Sequence, residues 1–315
     1  MQICLLATNG AFDSGLSCLL DTLHTARELA RGSGAAEPFQ VQVSGVRKRV
    51  KTQQGLLVPL APLPRTPPDV VVVPALGAKS REALEPVLQQ RELRDVGALL
   101  REWSQAGALL AAACTGTFVL ASTGLLDGKR ATTSWWLAGY FRERFPQVQL
   151  DESKLLLPAR GFVTAGAALS HVDLALWLVR RQSPRLARTT ANFLTYEDRA
   201  GQSSFVMSEY LEKSDPLIER FEGWARRNLA SFSLEAAAHA LGTSERTLER
   251  RLSSALGKSP LSLVQDLRVE RAVARLRRGD ESLDEIAAEV GYSDAVTLRT
   301  LLRRKTGRGV RALRG

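Results

Sequence analysis

The chain has 315 residues, a formal net charge of +10, 44% hydrophobic residues and three cysteines, enough length for two domains with cores of their own. No apolar run is long enough to cross a bilayer and the opening Met1-Gln2-Ile3-Cys4 lacks the charged n-region of a signal peptide, so a cytoplasmic protein away from the membrane is expected. Cys4, Cys18 and Cys114 cannot all pair and their spacing fits no zinc site, which argues against a disulfide framework and a cysteine-ligated zinc and suits a reducing compartment.

The charge is not concentrated enough to identify a partner. From Pro216 onward the chain carries 19 Lys/Arg against 13 Asp/Glu, and before it 24 against 20. Such a balance suits a polyanion but is also common without one.

Gln2 to Thr8 is a short apolar run ahead of Asn9-Gly10 and reads as a first strand with its loop. Leu16, Leu19, Leu20 and Leu23 share one face of a helix that ends near Arg31-Gly32. Phe39 to Val46 alternates apolar and polar as a strand does, and Asp69 to Ala75 is a continuous β-branched run, the pattern of a parallel strand buried on both faces. A helix around Leu93, Val96, Leu100 and Trp103 precedes the strand ALLAAA that ends at Ala113. Strands alternating with helices predict an α/β doubly wound domain with a mostly parallel sheet.

At Ala112-Ala113-Cys114-Thr115-Gly116 that strand turns abruptly into a helix over Thr117 to Ser122. Small residues on either side of a central one are what a tight nucleophile elbow requires. A cysteine there sits at a helix N-terminus, where the dipole and backbone N–H groups favour the thiolate. The competing reading is a small buried thiol that packs in the core.

The stretch from Cys114 to Trp135, with Gly124-Leu125-Leu126-Asp127-Gly128 and Ala131-Thr132-Thr133, resembles the signature of the DJ-1/PfpI branch of the class I glutamine amidotransferase-like fold. Thr164-Ala165-Gly166-Ala167 before Asp173-Leu174-Ala175-Leu176 matches it as well, and the resemblance covers about Gln2 to Phe205. It implies a flavodoxin-like sheet. The catalytic pattern departs from that of the family's hydrolases: their histidine positions hold Thr115 and Ser134, and Gly15 stands where an acidic residue is expected. Asp13 lies beside it and either substitutes or caps the helix. Cys114 is therefore a degenerate nucleophile position without a partner imidazole, and no enzyme activity and no cofactor are expected.

Ligands of open α/β sheets bind at the carboxyl ends of the strands. Asp13, Cys114, Thr115, Ser134, Trp135 and His171 are accordingly the candidate ligand-binding residues. Trp135 and Trp136 either wall that site or pack in a core or interface. His171, at the start of a helix over Ser170 to Arg180, is either a neutral ligand contact or a packing residue.

From Gln182 to Glu222 the pattern loosens. Arg181-Gln182-Ser183-Pro184 ends a helix, Ala200 to Phe205 reads as a turn, and Ser214-Asp215-Pro216 marks a helix start. The expected domains are 1–205 and 216–315, joined by a short linker over 206–215.

The C-terminal part writes one helical pattern twice. Leu234, Ala237, Ala238 and Leu241 precede Gly242, and Leu283, Ile286, Ala287 and Val290 precede Gly291 at the same offsets. Each copy is a short amphipathic helix, a glycine turn and an arginine-bearing second helix, so this all-α domain holds two helix-turn-helix units. Ser233 and Ser244 are expected caps in the first; Ser282 with Glu285 is a capping box in the second. A helix ending at Gly279, with Val269, Ala272, Val273 and Leu276 inward, joins them.

Residues near the start of the second helix of each unit meet base edges when it lies in the major groove. In the first unit those are Ser244, Arg246, Glu249, Arg250 and Arg251, with Arg246 and Arg250 suited to guanine and Arg251 to phosphate. Glu249 fits either a cytosine amine or an intrahelical ion pair. In the second unit they are Ala295, Val296, Arg299 and Thr300, with Arg303 and the basic run after it on phosphate. A solvated basic helical bundle, or a helix-turn-helix used for protein contacts, is the alternative, and two in-register copies joined by a capped helix argue against it.

Leu217 to Gly315 resembles the AraC/XylS family of transcription regulators, on Ile286-Ala287, Gly291-Tyr292-Ser293-Asp294, Leu298, Leu302 and Gly307. Val310 and Leu313 depart from it at end-of-helix packing positions. The resemblance implies binding of double-stranded promoter DNA at a direct repeat. The two resemblances together are similar to the amidase-like branch of AraC regulators, a ligand-sensing DJ-1/PfpI domain fused to a DNA reader, and imply a small nitrogenous effector and a homodimer formed through the N-terminal domain. The competing class is a cysteine-dependent hydrolase or amidase with an appended DNA-binding domain.

Overall fold

The computed structural model describes residues 1–197, 202, 216–256, 258–279 and 281–314. Its first unit is built on a six-stranded sheet of order β2-β1-β5-β6-β10-β9. These strands are β1 (Gln2–Leu6), β2 (Gln40–Ser44), β5 (Val70–Val73), β6 (Leu109–Ala113), β9 (Leu156–Ala159) and β10 (Phe162–Ala165). All neighbours pair parallel except β9, which runs antiparallel to β10 with Ala159 opposite Phe162. A hairpin of β3 (Arg49–Lys51) and β4 (Leu57–Pro59) and a short parallel pair, β7 (Arg130–Ala131) with β8 (Gln149–Leu150), stand apart from it.

The four valines of β5 show why the sheet needs cover on both faces, since none is more than 2% exposed. Val71 and Val73 join Leu100, Trp103, Phe118 and Phe141 on one side. Val70 and Val72 join Leu16, Leu19, Leu23, Leu174 and Leu178 on the other. Each fully buried valine contributes roughly 1.5–3 kcal/mol of transfer free energy. The covering helices are α1 (Asp13–Gly32), α2 (Arg81–Leu88), α3 (Arg91–Gln105), α4 (Gly116–Ala121), α5 (Ala138–Arg144), α6 (Ser170–Gln182) and α7 (Pro184–Phe193).

Two expectations change here. The strand expected at Ala131-Thr132-Thr133 stops at Ala131, because the threonines bond through side chains: Thr132 Oγ1 donates to Lys154 O at 2.8 Å and Thr133 Oγ1 to Cys114 O at 2.7 Å. The chain does not loosen after Gln182, because Ser183 caps α7 by accepting from Leu186 N at 3.2 Å, with Pro184 at the first helical position. The same Ser-Pro pair that ends one helix starts the next. The turn expected over 200–205 lies outside the described residues apart from Gln202, as does the linker over 206–215.

The chain divides into two compact units, Met1–Gln202 and Ser203–Gly315. The second unit is helical: α8 (Pro216–Arg227), α9 (Leu234–Ala240), α10 (Glu245–Leu256), α11 (Pro260–Arg278), α12 (Leu283–Glu289), α13 (Ala295–Thr306) and α14 (Val310–Arg314). It has two small cores, and α11 belongs to both. Leu263, Val264 and Leu267 enter the first core with Phe221, Leu248 and Leu252. Val269, Ala272 and Leu276 enter the second with Ile286, Leu298 and Leu302.

Side chains cap these helices at their starts. Ser233 accepts from Ala236 N, Ser244 from Thr247 N, Ser259 from Ser262 N and Asp294 from Thr297 N, and Ser282 with Glu285 forms a reciprocal capping box. Gly291, at φ 85°, is the turn of the second copy, and a Cβ there would stand 2.6 Å from Leu229 O. Arg268 on α11 donates to the same Leu229 O at 2.7 Å and lies 4.9 Å over the Tyr292 ring, so one guanidinium links the first helix-turn-helix region to the turn of the second.

Candidate functional site

At the end of β6 the backbone enters the left-handed region at Cys114, with φ 54°. A non-glycine residue held there marks a constrained turn. Gly116 makes the turn feasible, since a Cβ on it would stand 2.4 Å from Val73 O. Thr115 Oγ1 donates to Leu76 O at 2.6 Å and Cys114 N to Ala165 O at 2.9 Å, which lock the turn to the ends of β5 and β10. This is the elbow that the small-residue spacing predicts.

Its electrostatics differ from the sequence expectation. Burial pushes the Cys114 thiol up to about 11, against the smaller opposing effects of the Thr115 N–H and the Ser134 and Thr115 hydroxyls. Desolvation outweighs the helix-terminus effect, so this cysteine is a neutral thiol at physiological pH. Ser134 Oγ lies near enough to favour the thiolate slightly but forms no hydrogen bond of good geometry among the described residues.

The crevice between the ends of β1 and β5, where the strand order reverses, is filled by His171. Its Nε2 accepts from Ala75 N at 3.2 Å and its Nδ1 faces Ala168 O at 2.5 Å, so Nδ1 carries the hydrogen. Phe12 packs 6.4 Å away, ring centroid to centroid. Burial holds the imidazole pKa down to about 4, so it is neutral. Gly15 explains itself here: a Cβ on it would stand 2.7 Å from His171 Nε2. The imidazole occupies the space beside the position where an acidic residue was expected.

Gln202 fills the adjoining space at the ends of β6 and β10. Its side-chain amide donates to Thr133 O at 2.9 Å, Lys154 O at 3.2 Å and Thr132 Oγ1 at 3.3 Å, while Oε1 accepts from Ala167 N at 2.8 Å. Sequence reading missed this residue, because one glutamine in a polar stretch carries no signal of burial.

The other expected ligand-binding residues are placed as follows. Asp13 begins α1, and its carboxylate accepts from the Thr52 hydroxyl and from Gln54 N at 3.0 Å, tying down the β3–β4 hairpin. Trp135 is 6% exposed in a 3₁₀ turn over Trp135–Leu137 and meets Trp136 edge to face at 5.4 Å. Cys114, Thr115 and Ser134 are brought together, while His171 lies against Ala75 and Gly15, and all four are closed off, none more than 3% exposed. Clefts of about 310 and 320 Å³ lie elsewhere, one beside α11 and one beside Arg94, Arg101 and Arg144.

In the second unit, Arg246, Glu249, Arg250 and Arg251 are exposed along α10, with Leu248 and Leu252 buried on the opposite side. Arg246, Glu249 and Arg250 have no ion-pair partner among the described residues, so the intrahelical pair considered for Glu249 is not formed. Ser244 is exposed and is used as the cap. On α13, Val296 is 66% exposed, and Arg299, Thr300 and Arg303 are exposed with it. Ala295 departs from expectation. It is buried in the first turn behind the Asp294 cap, which leaves Val296 as the apolar group at that end. Lys305 also departs, pairing with Asp266 of α11 at 2.7 Å.

The DJ-1/PfpI family model matches residues 1–180 and a helix-turn-helix domain model matches residues 237–315. The transcriptional regulator GbdR of Pseudomonas aeruginosa is 26% identical over 210 residues, spanning 65% of this chain and 57% of that protein. The regulator GlxA of Rhizobium meliloti is 25% identical over 209 residues, 62% of this chain and 61% of that one. The chain thus spans less than two thirds of the length of these relatives. Among solved structures, an AraC family transcriptional regulator from Pseudomonas putida superposes with a TM-score of 0.52 at 21% identity, covering 62% of this chain and 98% of that one. Drosophila melanogaster DJ-1beta gives 0.50 at 20% identity, covering 62% and 98%. The elbow at Cys114, the sheet order and the family match over the first 180 residues agree: the chain belongs to the DJ-1/PfpI family, and it joins that domain to an AraC-type double helix-turn-helix domain.

Proposed function

We propose that the protein is a cytoplasmic, sequence-specific DNA-binding transcriptional regulator whose catalytically degenerate DJ-1/PfpI domain senses a small nitrogenous metabolite. The observation that carries the reading is the second unit itself. Two capped helix-turn-helix pairs share α11, and each presents exposed basic or small side chains on its second helix. Arg246 and Arg250 are the base readers of the first copy; Val296 and Arg299 are those of the second, on successive major grooves of a direct repeat. Dimerisation through the first unit sets how two such readers meet one promoter.

Degeneracy is supported by a thiol held neutral by burial and by an imidazole whose two ring nitrogens are both committed to the backbone. Neither is placed to pass a proton at a substrate. Binding of a metabolite biases the first unit between two states, and the differential affinity appears as a change in DNA binding.

The test is fluorescence anisotropy of the full chain with promoter DNA over a range of salt, followed by a thermal-shift screen of amines, amides and amino acids. The reading predicts DNA affinity that falls steeply with salt and at least one hit that changes it. Salt-independent binding, or none, would sink it. The φ of Cys114 favours a hydrolase as the second reading; a trapped thioester at Cys114 with an amide substrate would establish it.

A further inference from the structure

Gln202 is the least expected buried side chain of the first unit. It is 1% exposed, and its carboxamide is met on every polar edge. Polar side chains of this size are seldom buried so completely. The space that receives it is shaped for a planar group, since a Cβ on Gly166 would stand 2.4 Å from its Oε1. The neighbours belong to the elbow region: Thr133, whose carbonyl takes the amide, also donates its hydroxyl to Cys114 O. Next to it in the chain, Ser134 Oγ is buried with no hydrogen bond of good geometry among the described residues.

The donor and acceptor pattern selects the ligand chemistry. One backbone N–H, from Ala167, requires an acceptor oxygen. Two carbonyls and a hydroxyl, from Thr133, Lys154 and Thr132, require an NH₂ group in the same plane. A carboxylate would turn an oxygen towards those carbonyls, and an ammonium or guanidinium offers nothing to Ala167 N–H. A primary carboxamide satisfies all of them.

We propose that this pocket is a carboxamide-binding subsite, occupied in cis by Gln202 and available to a free primary carboxamide once Gln202 leaves it. Gln202 is the last residue of the first unit, with its N–H on Ser153 O at 3.1 Å, so exchange at the subsite releases the point where the chain leaves that unit. The link from this exchange to DNA binding rests on the regulator reading above; the subsite does not.

The experiment uses the full chain with Gln202→Ala and propionamide as probe, with propionate and N,N-dimethylpropionamide as controls. Self-occupancy reduces apparent affinity by the fraction of empty pockets, so propionamide should bind the variant at least about tenfold more tightly than it binds the unaltered protein. Its melting temperature should rise in propionamide alone. Adding Gly166→Ala should abolish the gain. If Gln202→Ala does not fold, Gln202→Asn, one methylene short of the seat, takes the same measurements. Equal binding by variant and unaltered protein, or an equal response to the dimethyl analogue, overturns the subsite. Promoter affinity in the same samples separates the two ideas. Gained carboxamide binding with unchanged DNA affinity supports the subsite and removes the coupling to regulation, whereas no gained binding overturns the subsite and leaves the metabolite screen to decide the regulator reading.

Discussion

His171 Nε2 accepts the backbone N–H of Ala75 at 3.2 Å, so a buried imidazole on α6 closes the crevice at the ends of β1 and β5. Its folded pKa, about 4, lies below the ordinary histidine value of 6.5, and burial is the main cause. The unfolded chain therefore binds the extra proton between those values. Stability should be fully present above pH 6.5 and be lost as pH falls towards 4, by on the order of 3 kcal/mol from this group. Chemical denaturation across that range checks it. His171→Gln should flatten that part of the profile, and an unchanged profile would mean that the imidazole is not buried and neutral.

Alkylation should distinguish the three cysteines. Cys4 and Cys114 are buried with thiols pushed up to about 11, while Cys18 is half-exposed, its thiol raised by burial and by Asp21. At pH 7 a thiol at 11 is ionised in only about one molecule in ten thousand. Iodoacetamide followed by mass spectrometry should label Cys18 first and Cys114 only on unfolding. Labelling of native Cys114 as fast as Cys18 contradicts a closed elbow.

Arg246→Ala should relax preference at one base pair of the first half-site, by about 1–3 kcal/mol, with little change elsewhere. Competition binding with a set of single-base variants measures this. A loss spread evenly over all sequences would place Arg246 on phosphate instead.

Gly291→Ala should destabilise the second unit. The left-handed backbone alone costs a non-glycine residue about 1–2 kcal/mol, and the new methyl would meet Leu229 O and Ala230 O. A lowered melting temperature with the first unit's transition unchanged is the expected result in calorimetry. A variant as stable as the parent would show that the turn can open.

The sheet was legible because its strands are written in runs that leave little choice: β-branched Val70–Val73 and apolar Leu110–Ala113 are buried on both faces. The two helix-turn-helix units were legible from offsets, caps and glycines that recur in register. Local capping hid α7, since Ser183-Pro184 is both a stop and a start signal. At the candidate site the elbow followed from steric rules, but its thiol did not follow from the helix dipole, because burial is a tertiary quantity. The burial of Ala295 is hidden for a related reason: one position along a helix separates an exposed Val296 from a residue under the cap. Gln202 was invisible, because what it bonds is backbone far away in sequence.

On the regulator reading proposed above, Arg268 has a consequence for the length of the DNA site. With 19 residues, α11 spans about 28 Å, and Arg268 fastens its middle to Leu229 and Tyr292. A pair of readers mounted on such a strut works as a calliper of one setting. Half-sites about 10–10.5 base pairs apart lie on the same side of the duplex, and one inserted base pair turns the second away by about 35°. The protein should therefore tolerate a changed base in one half-site far better than a changed spacing between the two.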